Sequence, residues 1–141
     1  MKHVFTYGSL MYTEVWRQIV AQEYQSKVAY LRGYQRYAVV GEHYPAIVPN
    51  EKGGDPQCET QGRLYIGVNA QDISALDHFE GEQYRRASVE VILETGEALN
   101  AEVYVWRRRF SSRLSSQAWN VEQFENLGLK QFQRQYRGFR T

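Results

Sequence analysis

A chain of 141 residues with 43% hydrophobic content is enough for one self-sufficient core and too short for two, so a single domain spanning residues 1–141 is expected. The lone Cys58 excludes an internal disulfide, no CxxC or Cys/His cluster suggests a metal, and no run approaches the roughly 20 apolar residues of a membrane span or resembles a signal peptide, so a cytoplasmic protein with no membrane role is expected. Net charge is +1, but the part from Tyr104 onward holds eight Lys/Arg against two Glu, or +6, which leaves −5 for the remainder.

In chain order, Lys2 to Tyr7 reads as a buried strand, running through Val4 and Phe5 into the small-residue turn Tyr7-Gly8-Ser9-Leu10. A strand ending in Gly-Ser before a helix leaves backbone N–H groups without acceptors and forms a ready anion cradle. As a plain turn, it would use Gly8 for an unusual φ and Ser9 as a cap. Thr13 to Gln22 predicts a helix with Val15, Trp16, Ile19 and Val20 on one face. Ser26 to Val40 is interrupted by Gly33 and reads as one bent strand or two short ones, and Ala46 to Val48 follows a turn bracketed by Gly41 and Pro45. Asn50 to Pro56 is predicted to be an exposed loop, and Cys58 to Gly67 a strand.

A short helix from about Asp72 to Glu80 should stop at Gly81. Tyr84 to Glu94 places Val89, Val91 and Leu93 on one face; Thr95-Gly96-Glu97 turns it into a returning strand carrying Ala101, Val103 and Val105. Ser111 to Gln117 reads as a polar linker, and Trp119 to Asn126 and Leu129 to Tyr136 as two helices. The pattern predicts an α+β fold in which a mainly antiparallel sheet, curled into a small β-barrel, is flanked by a few helices.

Within the 72–80 helix, Ile73, Leu76 and Phe79 form an apolar stripe, and at about 100° per residue Glu80 falls about 40° from its centre. Asp72, Asp77 and His78 fall on the edges or outer face, where they can stay in water. A carboxylate facing the core needs a partner or a use. Three explanations stand open: the helix frays at Gly81 and frees the side chain, Glu80 pairs with Arg85 or Arg86, or Glu80 is a general base of raised pKa. Other chemistries have less behind them. Gly-Ser-Leu is not a nucleophile elbow for a triad with His3 or His43. Cys58 reads as a small hydrophobe, and Arg107 to Arg109 as a solvated strand end, so no nucleic-acid partner is expected.

Three segments together carry a family pattern. Val4-Phe5-Thr6-Tyr7-Gly8-Ser9-Leu10, Tyr44-Pro45-Ala46-Ile47 with Gly62-Arg63-Leu64-Tyr65, and Leu76-Asp77-His78-Phe79-Glu80-Gly81 with Tyr84 and Arg86 resemble the γ-glutamylcyclotransferase-like superfamily. The branch they are most similar to includes the plant avirulence-induced-gene proteins and bacterial relatives. The resemblance implies a small barrel with helices and a cofactor-independent enzyme that releases 5-oxoproline from a γ-glutamyl amine or peptide. It implies that Glu80 is the general acid/base, that Val4, Phe5, Thr6, Tyr7, Gly8, Ser9 and Leu10 form the substrate-binding segment, and that Tyr84 lines the pocket. The partner is then a small γ-glutamyl molecule, with the leaving amine and the oligomeric state left open. The alternative is a non-catalytic domain that binds a γ-glutamyl or other small acidic ligand in the same place.

Overall fold

A computed structural model describes residues 1–49 and 59–128 of the chain. The Asn50 to Pro56 loop, Cys58 and the second C-terminal helix predicted from Leu129 lie outside these residues. The described residues include eight strands: β1 (Lys2–Thr6), β2 (Ser26–Arg32), β3 (Tyr34–Val39), β4 (Pro45–Pro49), β5 (Glu59–Val68), β6 (Tyr84–Leu93), β7 (Ala98–Trp106) and β8 (Leu114–Ala118). The helices are α1 (Thr13–Ile19), α2 (Ala70–Glu80) and a single turn, α3 (Val121–Gln123), that widens into a π-helical turn at Phe124–Gly128. Among the described residues, no helix is long and apolar enough to cross a membrane.

Five strands close into a barrel in the order β1-β5-β2-β6-β7, with β4-β3-β8 forming a separate sheet. Every barrel pairing is antiparallel except the closing one, where β1 runs parallel to β7 at Val4↔Glu102. The β6–β7 hairpin turns at Gly96, whose φ of 89° suits glycine, and is paired from Tyr84↔Trp106 to Ile92↔Ala98. Gly33, at φ 84°, ends β2 and redirects the chain into β3. The stretch from Ser26 to Val40 is therefore two strands, and they belong to different sheets.

Strand alternation sorts the core into two clusters. Phe5, Ala29, Leu31, Leu64, Val91, Leu93, Ala101, Val103 and Val105 fill the barrel with Tyr7 and Ile47. Val4, Tyr65, Val68, Tyr104 and Trp106 face outward, under Val15, Trp16 and Ile19 of α1 and Ile73 and Leu76 of α2. Both faces of β7 are thus covered, and from Ala101 to Trp106 every residue is buried. Trp16 stacks flat on Tyr65, with ring centroids 3.6 Å apart, and each fully buried large side chain of this kind stabilises the fold by about 1.5–3 kcal/mol.

Three sequence expectations are corrected. Asp72, expected to stay in water, is 3% exposed. Its carboxylate accepts hydrogen bonds from the Ala21 and Gln22 N–H groups and the Tyr24 hydroxyl, and so ties the end of α1 to α2. Burial opposes its charge, yet these donors outweigh burial and hold its pKa below the usual carboxylate value. The predicted Ser111 to Gln117 linker is a 3-10 segment (Arg108–Arg113) followed by β8, which pairs with β3; its polar residues read as loop because an edge strand buries little. The helix predicted from Trp119 is reduced to α3 and the π turn, and Trp119 and Phe124 are buried as packing anchors.

Gly62 is where β5 meets β1 most closely. A Cβ there would lie 2.0 Å from the Thr6 carbonyl oxygen and 2.7 Å from the Phe5 ring. Because the nearest obstacle is backbone, the barrel would have to open to admit it. Gly62→Ala should therefore cost about 3 kcal/mol or more and lower the melting temperature by roughly 10 °C, measured by thermal unfolding; an unchanged midpoint would show that this seam does not carry the fold.

Candidate functional site

β1 delivers the chain to a turn whose carbonyls are all engaged. The Tyr7 carbonyl accepts from Arg36 Nη1 at 2.7 Å, Gly8 from the Met11 N–H at 3.0 Å, Ser9 from the Tyr12 N–H at 3.2 Å and Leu10 from the Tyr65 hydroxyl at 3.0 Å. By contrast, among the described residues the N–H groups of Gly8, Ser9 and Leu10 have no acceptor, and neither has the Ser9 hydroxyl. The turn therefore offers donors, as the sequence predicts. Its glycine is needed for a different reason than expected: φ at Gly8 is negative, at −135°, but a Cβ would lie 2.7 Å from the Pro45 ring. Nor does Ser9 cap a helix.

Val4, Phe5 and Thr6, which the resemblance includes in the substrate-binding segment, are 0%, 1% and 4% exposed. Val4 packs under the helices, Phe5 fills the barrel and the Thr6 hydroxyl donates to the Arg63 carbonyl. Their side chains hold the strand that aims the turn, while Tyr7 to Leu10 present the donors. Tyr7 turns its side chain inward, and its hydroxyl donates to the Tyr104 carbonyl at 2.5 Å.

Pro45 links this turn to the next element. Its carbonyl accepts from the Tyr84 hydroxyl at 2.8 Å, and the Tyr84 ring meets Trp106 edge-on at 5.1 Å. Tyr84 follows α2 directly, four residues after Glu80. α2 begins with the Asn69 side chain accepting from the Asp72 N–H and ends at Gly81, whose φ of 78° and N–H bond to the Asp77 carbonyl stop the helix. The helix does not fray before Glu80, which removes the first of the three explanations for that residue.

The second explanation also fails. Arg86 Nε lies 3.1 Å from Asp77 Oδ1, and Arg86 Nη1 lies 2.9 Å from Glu102 Oε1. Arg85 is exposed, and among the described residues Glu80 takes part in no salt bridge. Glu80 is half-buried as a residue, but its carboxyl end lies among protein atoms. Burial, and after it the negative charge of Asp77, push its pKa up to about 8. Asp77 is itself held in place, since its Oδ1 also accepts from the Tyr104 hydroxyl at 2.7 Å.

Four phenols feel the Glu80 charge. Tyr7 and Tyr84 are raised well above the usual tyrosine pKa, first by burial; Tyr44 is pushed up to about 12 by burial, Glu42 and Glu80; Tyr104 is raised by burial and its bond to Asp77, with Glu80 adding to both. All four stay neutral at ordinary pH. Glu80, Tyr7 and Tyr84 thus fall within electrostatic reach of one another, and Tyr7 begins the turn that carries the unpaired donors. The arrangement can bind an anion at the turn and move a proton at Glu80. Among the described residues, no three His, Cys, Asp or Glu side chains gather as a metal site requires. A surface groove lined by Leu31, Tyr34, Val89 and Ile92 shares no residue with this cluster.

Sequence reasoning overlooked Asp77, Tyr104 and Arg36. Asp77 had a signal, one helical turn before Glu80, whereas Tyr104 and Arg36 reach the site only through strand pairing. The Tyr44-Pro45 segment carried part of the family pattern without a position; the fold sets Pro45 against Gly8.

Comparison with known proteins shows the family and the fold. Residues 4–121 match the family model described as gamma-glutamyl cyclotransferase, AIG2-like. The AIG2-like protein A of Arabidopsis thaliana is 31% identical over 133 residues, covering 94% of this chain and 77% of that protein. A solution structure from Arabidopsis thaliana superposes with a TM-score of 0.72 at 29% identity, covering 98% of this chain and 81% of the other. A yeast γ-glutamyl cyclotransferase specific to glutathione shares the fold at TM-score 0.56 and 16% identity, over 75% of this chain and 69% of its own. The chain belongs to the AIG2-like family of γ-glutamyl cyclotransferases.

Proposed function

We propose that the protein is a cyclotransferase that acts on a γ-glutamyl amine or peptide, releasing 5-oxoproline and a free amine. The observation that carries this reading is Glu80: a carboxyl with no cationic partner among the described residues, its pKa pushed up to about 8, within electrostatic reach of the Tyr7 that opens a turn of unpaired donors. Family membership and the shared fold of the yeast enzyme support it.

In the proposed reaction the substrate's own α-amino nitrogen attacks its γ-carbonyl carbon. A carbon–nitrogen bond forms in the five-membered ring, and the bond from that carbon to the departing amine breaks. The α-nitrogen arrives as an ammonium and ends as the ring N–H, so it gives up two protons: one to solvent before it attacks, and one as the ring closes. The departing nitrogen must gain one to leave as a neutral amine. Glu80 takes the proton shed as the ring closes and returns it to the leaving group, and a pKa near neutrality suits both transfers. Since nucleophile and electrophile are tethered, the protein contributes mainly by holding a folded conformer. The Gly8, Ser9 and Leu10 N–H groups, with the Ser9 hydroxyl, hold the glutamyl α-carboxylate, and Tyr84 walls the site.

Glu80→Gln should keep the fold and lose about 10²–10⁴-fold in 5-oxoproline release across a panel of γ-glutamyl compounds; undiminished turnover would sink the assignment. The same ionisation is linked to stability. Because the folded pKa of about 8 stands above the reference value of 4.5, the folded state holds a proton that the unfolded chain has lost, and stability falls as pH rises between these values. Glu80→Gln should therefore unfold at a higher temperature than the parent at pH 8 and show no such advantage at pH 4.

Asp77→Asn removes a charge that raises the Glu80 pKa, so the rising limb of kcat/KM against pH should move to lower pH. A profile that stays in place would mean that Glu80 does not govern that limb. Ser9→Ala should raise KM roughly threefold to tenfold with little change in kcat, and a loss confined to kcat would count against a role in binding.

A further inference from the structure

Arg36 is a cation that the proposed chemistry leaves unused. From β3 its Nη1 donates to the Tyr7 carbonyl oxygen at 2.7 Å, and its guanidinium carbon sits 5.1 Å from the centroid of the Trp119 ring. The residue is half-buried, and among the described residues none of the four ion pairs involves it. The groups that act on its charge are the phenols of Tyr7 and Tyr12. A partly desolvated guanidinium without a carboxylate is costly to keep. What it touches instead is a backbone oxygen at the start of the candidate site.

The Tyr7–Gly8 peptide is trans, so its C=O and N–H point in opposite directions from one rigid plane. A charge-assisted hydrogen bond on the oxygen draws density from the nitrogen through amide resonance and strengthens the N–H as a donor. That N–H belongs to Gly8, the first of the three unpaired donors. We propose that Arg36 is a positioning residue for the anion site: held against Trp119, it fixes the Tyr7–Gly8 peptide and polarises the Gly8 N–H toward the carboxylate of the substrate's glutamyl end. The inference rests on the reading that this turn holds the α-carboxylate. Arg36 stands on the opposite side of the peptide from that N–H and acts through it, not on the substrate.

The test compares Arg36→Met and Arg36→Lys with the parent protein. Titration calorimetry would measure binding of 5-oxoproline and of 2-pyrrolidinone, the same ring without the carboxylate. Steady-state kinetics would use a γ-glutamyl substrate that the parent turns over, and the Gly8 amide nitrogen shift would be read from ¹⁵N-labelled protein. Arg36→Met should weaken 5-oxoproline roughly threefold to tenfold and leave 2-pyrrolidinone unchanged. It should raise KM while sparing kcat, and move the Gly8 nitrogen upfield; Arg36→Lys, which keeps the charge, should recover part of each effect. Equal weakening of both ligands would reduce Arg36 to a structural role and overturn the proposal, as would an unmoved Gly8 shift. A parent protein that neither binds nor releases 5-oxoproline would overturn the cyclotransferase reading instead, and the Gly8 shift would then decide the polarisation by itself.

Discussion

β1 is gripped along both edges, and the direction in which the candidate site points depends on that grip. It pairs antiparallel with β5 and closes the barrel by running parallel to β7 at Val4↔Glu102. Phe5 is locked inside the barrel and Val4 outside it, so a one-residue slip would exchange the faces and bury the wrong side chains. The strand leaves the barrel at Thr6 on one heading. The turn then has its carbonyls fixed by four donors from three segments: Arg36 from β3, Tyr65 from β5, and Met11 and Tyr12 from the turn itself. With the oxygens committed, the planar peptide units leave their N–H groups aimed elsewhere, and a set of unpaired donors results from ordinary folding constraints.

A second constraint sorts the charges. Two nearby cations could have neutralised Glu80, and both are withheld. Arg85 is exposed on β6, while Arg86 lies between Asp77 and Glu102 in a chain that also includes Lys2 and Ser88. The donors of that network outweigh burial and hold the Glu102 pKa below the usual carboxylate value. Its other end is Asp77, a negative charge one helical turn before Glu80. Structural ion pairing and the raised pKa of Glu80 are therefore parts of one arrangement: the arginine that could have lowered that pKa instead anchors the aspartate that raises it.

Much of this was legible in the sequence because it follows from short-range periodicity. The β6–β7 alternation, the glycine stop after α2, the break at Gly33 and the inward aim of Glu80 each depend on residues within a turn or two. The misreadings have a common cause. Asp72 was placed in water by its helical angle, but the N–H groups that bury it come from Ala21 and Gln22, some fifty residues earlier. β8 gave no signal because an edge strand made of Ser and Gln gains its order from β3 and not from its own propensity. Arg36 could not be recognised because its acceptor is a main-chain oxygen, which leaves no trace in residue identity.

The site is economical on the proposed reading because the substrate carries its own nucleophile. A reaction between two separate molecules would require the protein to recognise both, whereas ring closure needs one end held and a proton carried from the attacking nitrogen to the departing one. Donors fixed by the barrel suit the first task, since they need not reorganise when the anion arrives. A single carboxyl whose pKa lies near neutrality suits the second, since it must release the proton it has just accepted. The phenols of Tyr7, Tyr44, Tyr84 and Tyr104, which feel the Glu80 charge, complete the logic: burial raises the pKa of each, so they stay neutral and do not compete for the proton that Glu80 carries.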